Sequence, residues 1–265
     1  MYYIILYYMN KKVILFGILF IFFLYIIFTS SIQMVELFDN SSHNIIVYAI
    51  TLKTKDRLDN IERQKQKLHT DIILFDAVVG DKLDLDDLIK KGIVTDNYRN
   101  GDKQKKREIG CYLSHFNLYK KIKETNYDGY TLILEDDFVI KDNIDINTIN
   151  NCIDKLKNRN EHFDLLFLGN LYNVHGENIV DNIYRDDKNT PLLCTHAYIV
   201  NNSSADKIIN LTSHINTAID HKLNELSKDD RLKMLAIYPT LVDQIEGNTI
   251  INNMNIELFK NYNKK

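Results

Sequence analysis

Three adjacent carboxylates, Glu135-Asp136-Asp137, end the apolar run Tyr130-Thr131-Leu132-Ile133-Leu134. A buried strand that delivers acids to its own C-terminal end places them where open α/β sheets bind ligands. Three like charges side by side repel one another unless a cation sits among them, and Mg²⁺ or Mn²⁺ prefer oxygen ligands. The run reads as a metal site or as a solvated acidic turn after a buried strand. Arg57 follows the first strand by a few residues, where its guanidinium could fork onto a diphosphate or a uracil edge, or simply begin a helix at the surface. His115 falls on an apolar-leaning helix face with Cys111, Leu118 and Ile122, a setting that suits a hydrogen-bonded core histidine as well as a functional one. Asp220, in Ala218-Ile219-Asp220-His221, reads as a helix cap or as a carboxylate able to take a proton.

A glycine-rich phosphate cradle is absent. The nine glycines form neither a Walker-type nor a dinucleotide fingerprint, so the diphosphate of any nucleotide ligand must be held otherwise, as a metal with nearby cations would do.

Five segments follow one another along the chain: Val47-Tyr48-Ala49-Ile50-Thr51-Leu52 with Asp56-Arg57; Glu108-Ile109-Gly110-Cys111-Tyr112-Leu113-Ser114-His115; the acidic strand end; Asp164-Leu165-Leu166-Phe167-Leu168-Gly169; and Thr195-His196-Ala197-Tyr198. Together they resemble glycosyltransferase family 25, which holds lipopolysaccharide-type and procollagen galactosyltransferases, over roughly residues 45 to 247. The resemblance implies a GT-A-like fold that binds a UDP-sugar, with UDP-galactose or UDP-glucose as donor, Mn²⁺ or Mg²⁺ as cofactor, and a glycan or hydroxylysine-bearing protein as acceptor. It makes Asp137 the metal ligand and turns Glu135 or Asp136 toward ribose or sugar hydroxyls, Glu135 also being open to the metal. Thr51, where the family has Asn, Thr195 and His196 belong with Arg57 to the donor site, and His115 supports it. Cys194 stands where the family has glycine. Asp220 matches a Pro-Val-Asp element without its proline and is the general base of an inverting transfer; Tyr238-Pro239 and Val242-Asp243-Gln244 are similar to a closing motif, so Gln244 lines the donor site and His221 or Gln244 completes the metal sphere. Two rivals are a membrane-anchored, catalytically silent glycan-binding protein of the same fold and a metal-dependent phosphatase or nuclease.

These residues must be carried by alternating elements. Ile45 to Leu52, Ile72 to Ala77, Tyr130 to Leu134, Leu165 to Leu168, His196 to Val200 and Leu235 to Ile237 read as short buried strands. Helices are expected over Leu58 to His69, from Glu108 through Ile122, and over Ser203 to Leu211 behind a Ser203-Ser204 cap. That alternation predicts a mostly parallel, doubly wound α/β sheet. Lys82 to Arg107 reads as a charged loop with one short helix, and Lys103-Gln104-Lys105-Lys106-Arg107 as its solvated end, with phosphate or acceptor contact as the alternative.

With 265 residues and 45% hydrophobic content, the chain accommodates one catalytic domain and an appendage. A net charge of −3 with the signs interspersed disfavours nucleic-acid binding. Three cysteines, Cys111, Cys152 and Cys194, lack metal-ligand spacing and are too few for a disulfide scaffold. Val13 to Phe28 is apolar apart from Gly17 and Tyr25, preceded by Lys11-Lys12, and spans roughly 24 Å as a helix. The lysines place the N-terminus on the cytoplasmic side. The expected organisation is a cytoplasmic 1–12, a transmembrane signal-anchor 13–29, a stem 30–44, a catalytic domain 45–247 that is lumenal or exterior in type II topology, and a polar tail 248–265; a cleaved signal peptide is the alternative. Sequons at Asn40, Asn201, Asn202 and Asn210 are compatible with a lumenal domain.

Overall fold

The computed structural model describes residues 45–98, 103–171, 176–186 and 191–245. The expected anchor at 13–29, the stem and the tail lie outside the described residues; within them, no helix is long and apolar enough to cross a membrane.

Eight strands form one sheet: β1 (Ile46–Thr51), β2 (Ile73–Asp76), β3 (Tyr130–Glu135), β5 (Leu165–Phe167), β6 (Asn178–Val180), β7 (Ile183–Arg185), β8 (Ala197–Asn201) and β9 (Met234–Ile237), in the order β2-β1-β3-β8-β5-β9-β7-β6. A separate antiparallel pair joins β4 (Phe138–Ile140) to β10 (Val242–Gln244). The helices are α1 (Lys55–Leu68), α2 (Leu85–Lys90), α3 (Lys103–Glu124), α4 (Ile146–Asn158), α5 (Ala205–Leu211) and α6 (Ile219–Lys228).

Strand residues alternate between two faces, and each face closes on its own set of helices, because a pleated strand sends successive side chains to opposite sides. Val47 and Ala49 of β1, Leu132 and Leu134 of β3, and Ile199 of β8 join Ile61 and Leu68 of α1 and Ile149, Ile153 and Leu156 of α4 in one core. Tyr48, Ile50, Ile133, Tyr198 and Val200 join Ile109, Tyr112 and Tyr119 of α3, Ile208 of α5 and Leu223 of α6 in the other. Both faces of these strands are apolar, so a one-residue slip in register would exchange two cores rather than expose one, and the doubly wound expectation is met.

The sheet is mixed, which refines the mostly parallel expectation. Pairs β1–β2, β1–β3 and β5–β9 are parallel, while β8 runs antiparallel to both β3 and β5, and β7 to both β9 and β6. Six of the eight strands therefore share one direction, and β8 and β7 oppose it. The reversed β8 matters for the site. Its register, Leu134 opposite Ala197, lays its N-terminal end beside the C-terminal end of β3, and the Glu135 amide donates to the His196 carbonyl at 2.9 Å.

The stretch read as a charged loop is more ordered than expected. It holds a 3-10 turn at Gly80–Lys82, α2, a second turn at Asp96–Tyr98 and the first turns of α3, which begins at Lys103 rather than Glu108. Two glycines explain the docking of this segment. A Cβ on Gly110 would sit 2.8 Å from the Val78 carbonyl oxygen, and one on Gly80 would sit 2.4 Å from the Lys106 carbonyl oxygen, so only glycine lets α3 lie against the 78–82 loop. Ser114 Oγ fastens the contact, accepting from the Val78 amide at 2.8 Å while donating to the Gly110 carbonyl at 2.7 Å.

Candidate active site

The acidic run leaves β3 at the point where β1, β8 and the β4–β10 pair converge. Helix α1 grips it from one side. Arg57, Asn60 and Gln64 recur at helical spacing on one buried face, and Asn60 Nδ2 donates to the carbonyls of Asp136 (3.1 Å) and Phe138 (2.9 Å) while Gln64 Oε1 accepts from the Ile140 amide at 2.9 Å. These bonds satisfy backbone groups that the turn between β3 and β4 would otherwise bury unpaired. Arg57, with its side chain 11% exposed, sets Nε 3.5 Å from Asp136 and Nη1 3.4 Å from Asp137.

The three carboxylates live in different surroundings. Glu135 Oε1 accepts from Thr195 Oγ1 at 2.6 Å and lies 3.2 Å from His115 Nε2; burial pushes its carboxyl up, but His115 and Thr195 hold it below its usual value. Asp136 accepts from the Leu52 amide at 3.3 Å. Burial raises its carboxyl more than Thr51, Arg57 and the Leu52 amide lower it. Asp137 is buried, accepts from Gln244 Nε2 at 3.2 Å, and is pushed up to about 6 by burial and then by the neighbouring Glu135 charge, against the pull of Arg57. Gln244 is there because β10 pairs it with Phe138.

Helix α3 supplies His115, fully buried at the ring. Its Nδ1 lies 2.8 Å from the Tyr198 hydroxyl, which is 2.7 Å from the Tyr119 hydroxyl. Because ionised Glu135 can only accept, Nε2 carries the proton, Nδ1 accepts from Tyr198, and Tyr119 donates to Tyr198. From α6, on the face of the sheet opposite α1, Asp220 accepts from its neighbour His221 amide at 2.8 Å and from the Cys194 amide at 3.3 Å.

These groups line one cavity of about 450 Å³, within the range of small-molecule sites. Of the residues singled out from sequence, Arg57, His115, Glu135, Asp136, Asp137, Thr195, Asp220, His221 and Gln244 all line it. Thr51 and His196 do not. Thr51 is buried, its Oγ1 accepting from the Lys53 amide at 2.9 Å, and reaches the site only through Asp136. His196 points to the far side of the strand end, where Nε2 donates to the Val242 carbonyl at 3.2 Å and a Cβ on Gly169 would sit 2.0 Å from that nitrogen. Both precede β8, and the chain bends at His196, so the ring turns toward Val242 while Thr195 faces the cavity.

Sequence reasoning passed over Tyr98, gave Glu108 and Cys111 no role at the site, read Lys105 within a solvated run and noted Cys194 only as standing in for glycine; all five line the cavity. Tyr98 donates to Glu108 Oε2 at 2.6 Å, and Lys105 Nζ lies 3.0 Å from the same oxygen. Burial and then Glu108 push the Tyr98 phenol up. The repeated Lys and Arg of 103–107 concealed a helical i, i+3 pair between Lys105 and Glu108. Cys194 adopts φ 76°, the left-handed conformation that glycine takes without strain.

A hard divalent cation fits the oxygen-rich part of this cavity. Asp137 carries a carboxylate that burial and Glu135 both destabilise, and such ions typically take one or two protein carboxylates and complete their sphere with substrate phosphates and water. The expected trio of Asp137, Glu135 and His221 does not close by itself. Among the described residues, the set whose ligand atoms all lie within 4.8 Å of one another is Cys111, His115 and Glu135. His221 is exposed at the cavity edge and Glu135 is drawn toward His115 and Thr195.

Compared with known proteins, residues 44–223 match the family model described as glycosyltransferase family 25, LPS biosynthesis protein. Two curated relatives are similar over part of the chain. Procollagen galactosyltransferase 1-B of Xenopus laevis is 35% identical over 96 residues and procollagen galactosyltransferase 1-A of the same organism 34% over 96 residues. Each match spans 34% of this chain and 16% of the relative's length. A solved structure of UDP-glucose pyrophosphorylase complexed with UDP-glucose aligns over 73% of this chain and 90% of that chain with 8% identity and a TM-score of 0.38, too loose a likeness to argue from.

Proposed function

This chain belongs to glycosyltransferase family 25, and from that premise we propose that it transfers a hexose, galactose or glucose, from a UDP-sugar to a hydroxyl of a glycan or hydroxylysine-bearing protein, with inversion at the anomeric carbon. The observation that carries the reading is the meeting, in one cavity, of Arg57 and the acidic run from one side of the sheet with Asp220 from the other.

Arg57 orients the diphosphate by charge-assisted hydrogen bonds, and its position against Asp136 and Asp137 favours the ionised form of both carboxylates. Asp137 and Asp136, with the Gln244 amide beside them, would hold Mn²⁺ or Mg²⁺. When bound, that cation would neutralise charge developing on the nucleoside-diphosphate leaving group. Glu135, fixed by Thr195 and His115, accepts hydrogen bonds from ribose or sugar hydroxyls. Asp220 takes the proton of the attacking hydroxyl, and the two backbone amides on its carboxylate hold it facing the cavity. Tyr98, Lys105 and Glu108, on the cavity wall, supply polar contacts to the acceptor or sugar.

The apolar segment 13–29 with Lys11-Lys12 before it supports a signal-anchor that tethers this domain in type II topology on the lumenal or exterior side.

The test is UDP release from a panel of UDP-sugars by the full chain in detergent, with Mn²⁺ or with chelator, for wild type and Asp137→Ala. Metal-dependent release from one donor, lost in the variant, supports the reading and names the sugar. Absence of release from every donor by folded protein, with acceptor mixtures supplied, overturns it in favour of a silent glycan-binding protein.

A further inference from the structure

Helix α3 sets Cys111 and His115 one turn apart on one face, and β3 brings Glu135 against them. The thiol sulfur, a ring nitrogen and a carboxylate oxygen lie within 4.8 Å of one another, and all three residues line the cavity. Ligand atoms around a tetrahedral zinc ion are separated by ~3.5 Å, given Zn–S near 2.3 Å and Zn–N or Zn–O near 2.1 Å, so the trio needs a contraction of about 1 Å.

We propose that Cys111, His115 and Glu135 form a site for a borderline-soft divalent cation, Zn²⁺ above all, separate in chemistry from the hard-oxygen position at Asp137. Sulfur, nitrogen and oxygen donors together select zinc over magnesium or manganese, and three protein ligands leave a fourth position open toward the cavity.

The surroundings of His115 are built for it. Binding through Nε2 requires the ring proton to be on Nδ1, and Nδ1 faces the Tyr198 hydroxyl at 2.8 Å, itself 2.7 Å from the Tyr119 hydroxyl. Each hydroxyl both donates and accepts, so the chain reverses: Nδ1–H donates to Tyr198, and Tyr198 donates to Tyr119. A histidine ligand whose second nitrogen is held by a hydrogen-bond partner is the usual arrangement in metal sites. The proton count closes. The imidazole proton moves from Nε2 to Nδ1, the Cys111 thiol releases one proton to solvent, and the charges of thiolate, carboxylate and M²⁺ sum to zero. Thr195, which donates to Glu135 at 2.6 Å, remains within reach to hold the carboxylate's orientation.

The inference does not rest on the transferase reading, and its test measures no turnover. The full chain is titrated with Co²⁺ under reducing conditions and followed by the thiolate-to-cobalt charge-transfer absorption in the near ultraviolet, with Zn²⁺ added afterwards. The expected result is a band that saturates at one equivalent, disappears on adding Zn²⁺, and is lost in Cys111→Ser and in His115→Gln, while Cys194→Ser retains it. Circular dichroism of each variant establishes that it is folded; His115→Asn serves if His115→Gln does not fold. No band with folded wild type, or a band that survives Cys111→Ser and vanishes with Cys194→Ser, overturns the site.

Discussion

Arg57 Nη1 lies 3.4 Å from an Asp137 carboxylate oxygen, so the first helix of the domain restrains the last member of the acidic run. The guanidinium opposes the burial and the Glu135 charge that raise the Asp137 carboxyl to about 6. Arg57→Met removes that opposition: the Asp137 carboxyl moves further up, and the acid limb of a pH profile of kcat/KM shifts upward with it. The substitution also deprives the diphosphate of its guanidinium, so kcat/KM falls by about 10–100-fold, the scale of a charge-assisted hydrogen bond. Arg57→Lys restores the pH limb more than the affinity, since an ammonium supplies charge without the bidentate fork. Kinetics across roughly pH 5 to 8 separate the two effects.

Asp137 also makes stability depend on pH. Its folded-state pKa, about 6, is above the unfolded value near 3.9, so the native state favours the protonated acid. The favourable contribution is complete below the unfolded pKa and is lost as pH rises through the folded one. Asp137→Asn mimics the protonated form. In chelator, the variant is therefore more stable than wild type at about pH 8 by on the order of 2 kcal/mol, and the gap closes below about pH 4. Urea denaturation at the two pH values measures this; equal gaps at both would mean the carboxyl is not strained.

Much of this was readable in the residues. The core strands announce themselves because both faces are apolar, and Tyr130 to Leu134 needs no partner to be recognised as buried. The strands β6, β7 and β10 are three residues each, too short for any period to register. Antiparallel β8 has the same composition as a parallel strand, so its direction is set by connections rather than by pattern. At the site, carboxylates and Arg57 stood out by type. Asn60 and Gln64 did not, because their task is to satisfy the backbone of a turn that only the fold brings near. Thr195 and His196 looked equivalent, and the bend just before β8 sends them to opposite sides.

Gly169→Ala tests how firmly His196 braces the strand end. A Cβ there would meet His196 Nε2 at 2.0 Å and the Val242 carbonyl oxygen at 2.6 Å, and a backbone acceptor cannot rotate away. The expected loss is about 2–3 kcal/mol by overpacking. Because Val242 and Gln244 share β10, the displacement also moves Gln244 from Asp137, raising KM for the donor in the fraction that folds. Thermal denaturation and donor titration read the two consequences.

Asp220→Asn removes the proton acceptor and keeps a single acceptor oxygen, so it retains one of the two amide bonds, to His221 or to Cys194, which reach different carboxylate oxygens, and faces the other amide with its NH2 group. If Asp220 is the base, kcat falls about 10²–10⁴-fold while donor KM stays near wild type and the melting temperature drops only by the one amide bond that asparagine cannot accept. A drop confined to KM would make it a residue that positions the Cys194 loop. Asp220→Ala, which also strips both amides of their partner, separates that positioning role by its added loss of stability, about 1 kcal/mol.

Cys194 holds φ 76° where the family resemblance implies glycine. A side chain in the left-handed region costs roughly 1 kcal/mol, which glycine avoids. Against this, Cys194→Gly forfeits the packing of a half-buried thiol and gives the unfolded chain more freedom. The thiol is only partly buried, so strain relief outweighs the packing loss and the melting temperature rises by about 1–3 °C, the shift that several tenths of a kcal/mol produce in a domain of this size. The same substitution removes a side chain from the cavity wall, which widens the approach to Thr195 and Asp220 and lowers KM for a bulky donor or acceptor more than it changes kcat. A fall in melting temperature would show that the thiol packs too well to be a strained stand-in for glycine. A rise without any kinetic change would confine its role to the backbone and place the cavity's limiting contacts at Tyr98 and Glu108 instead.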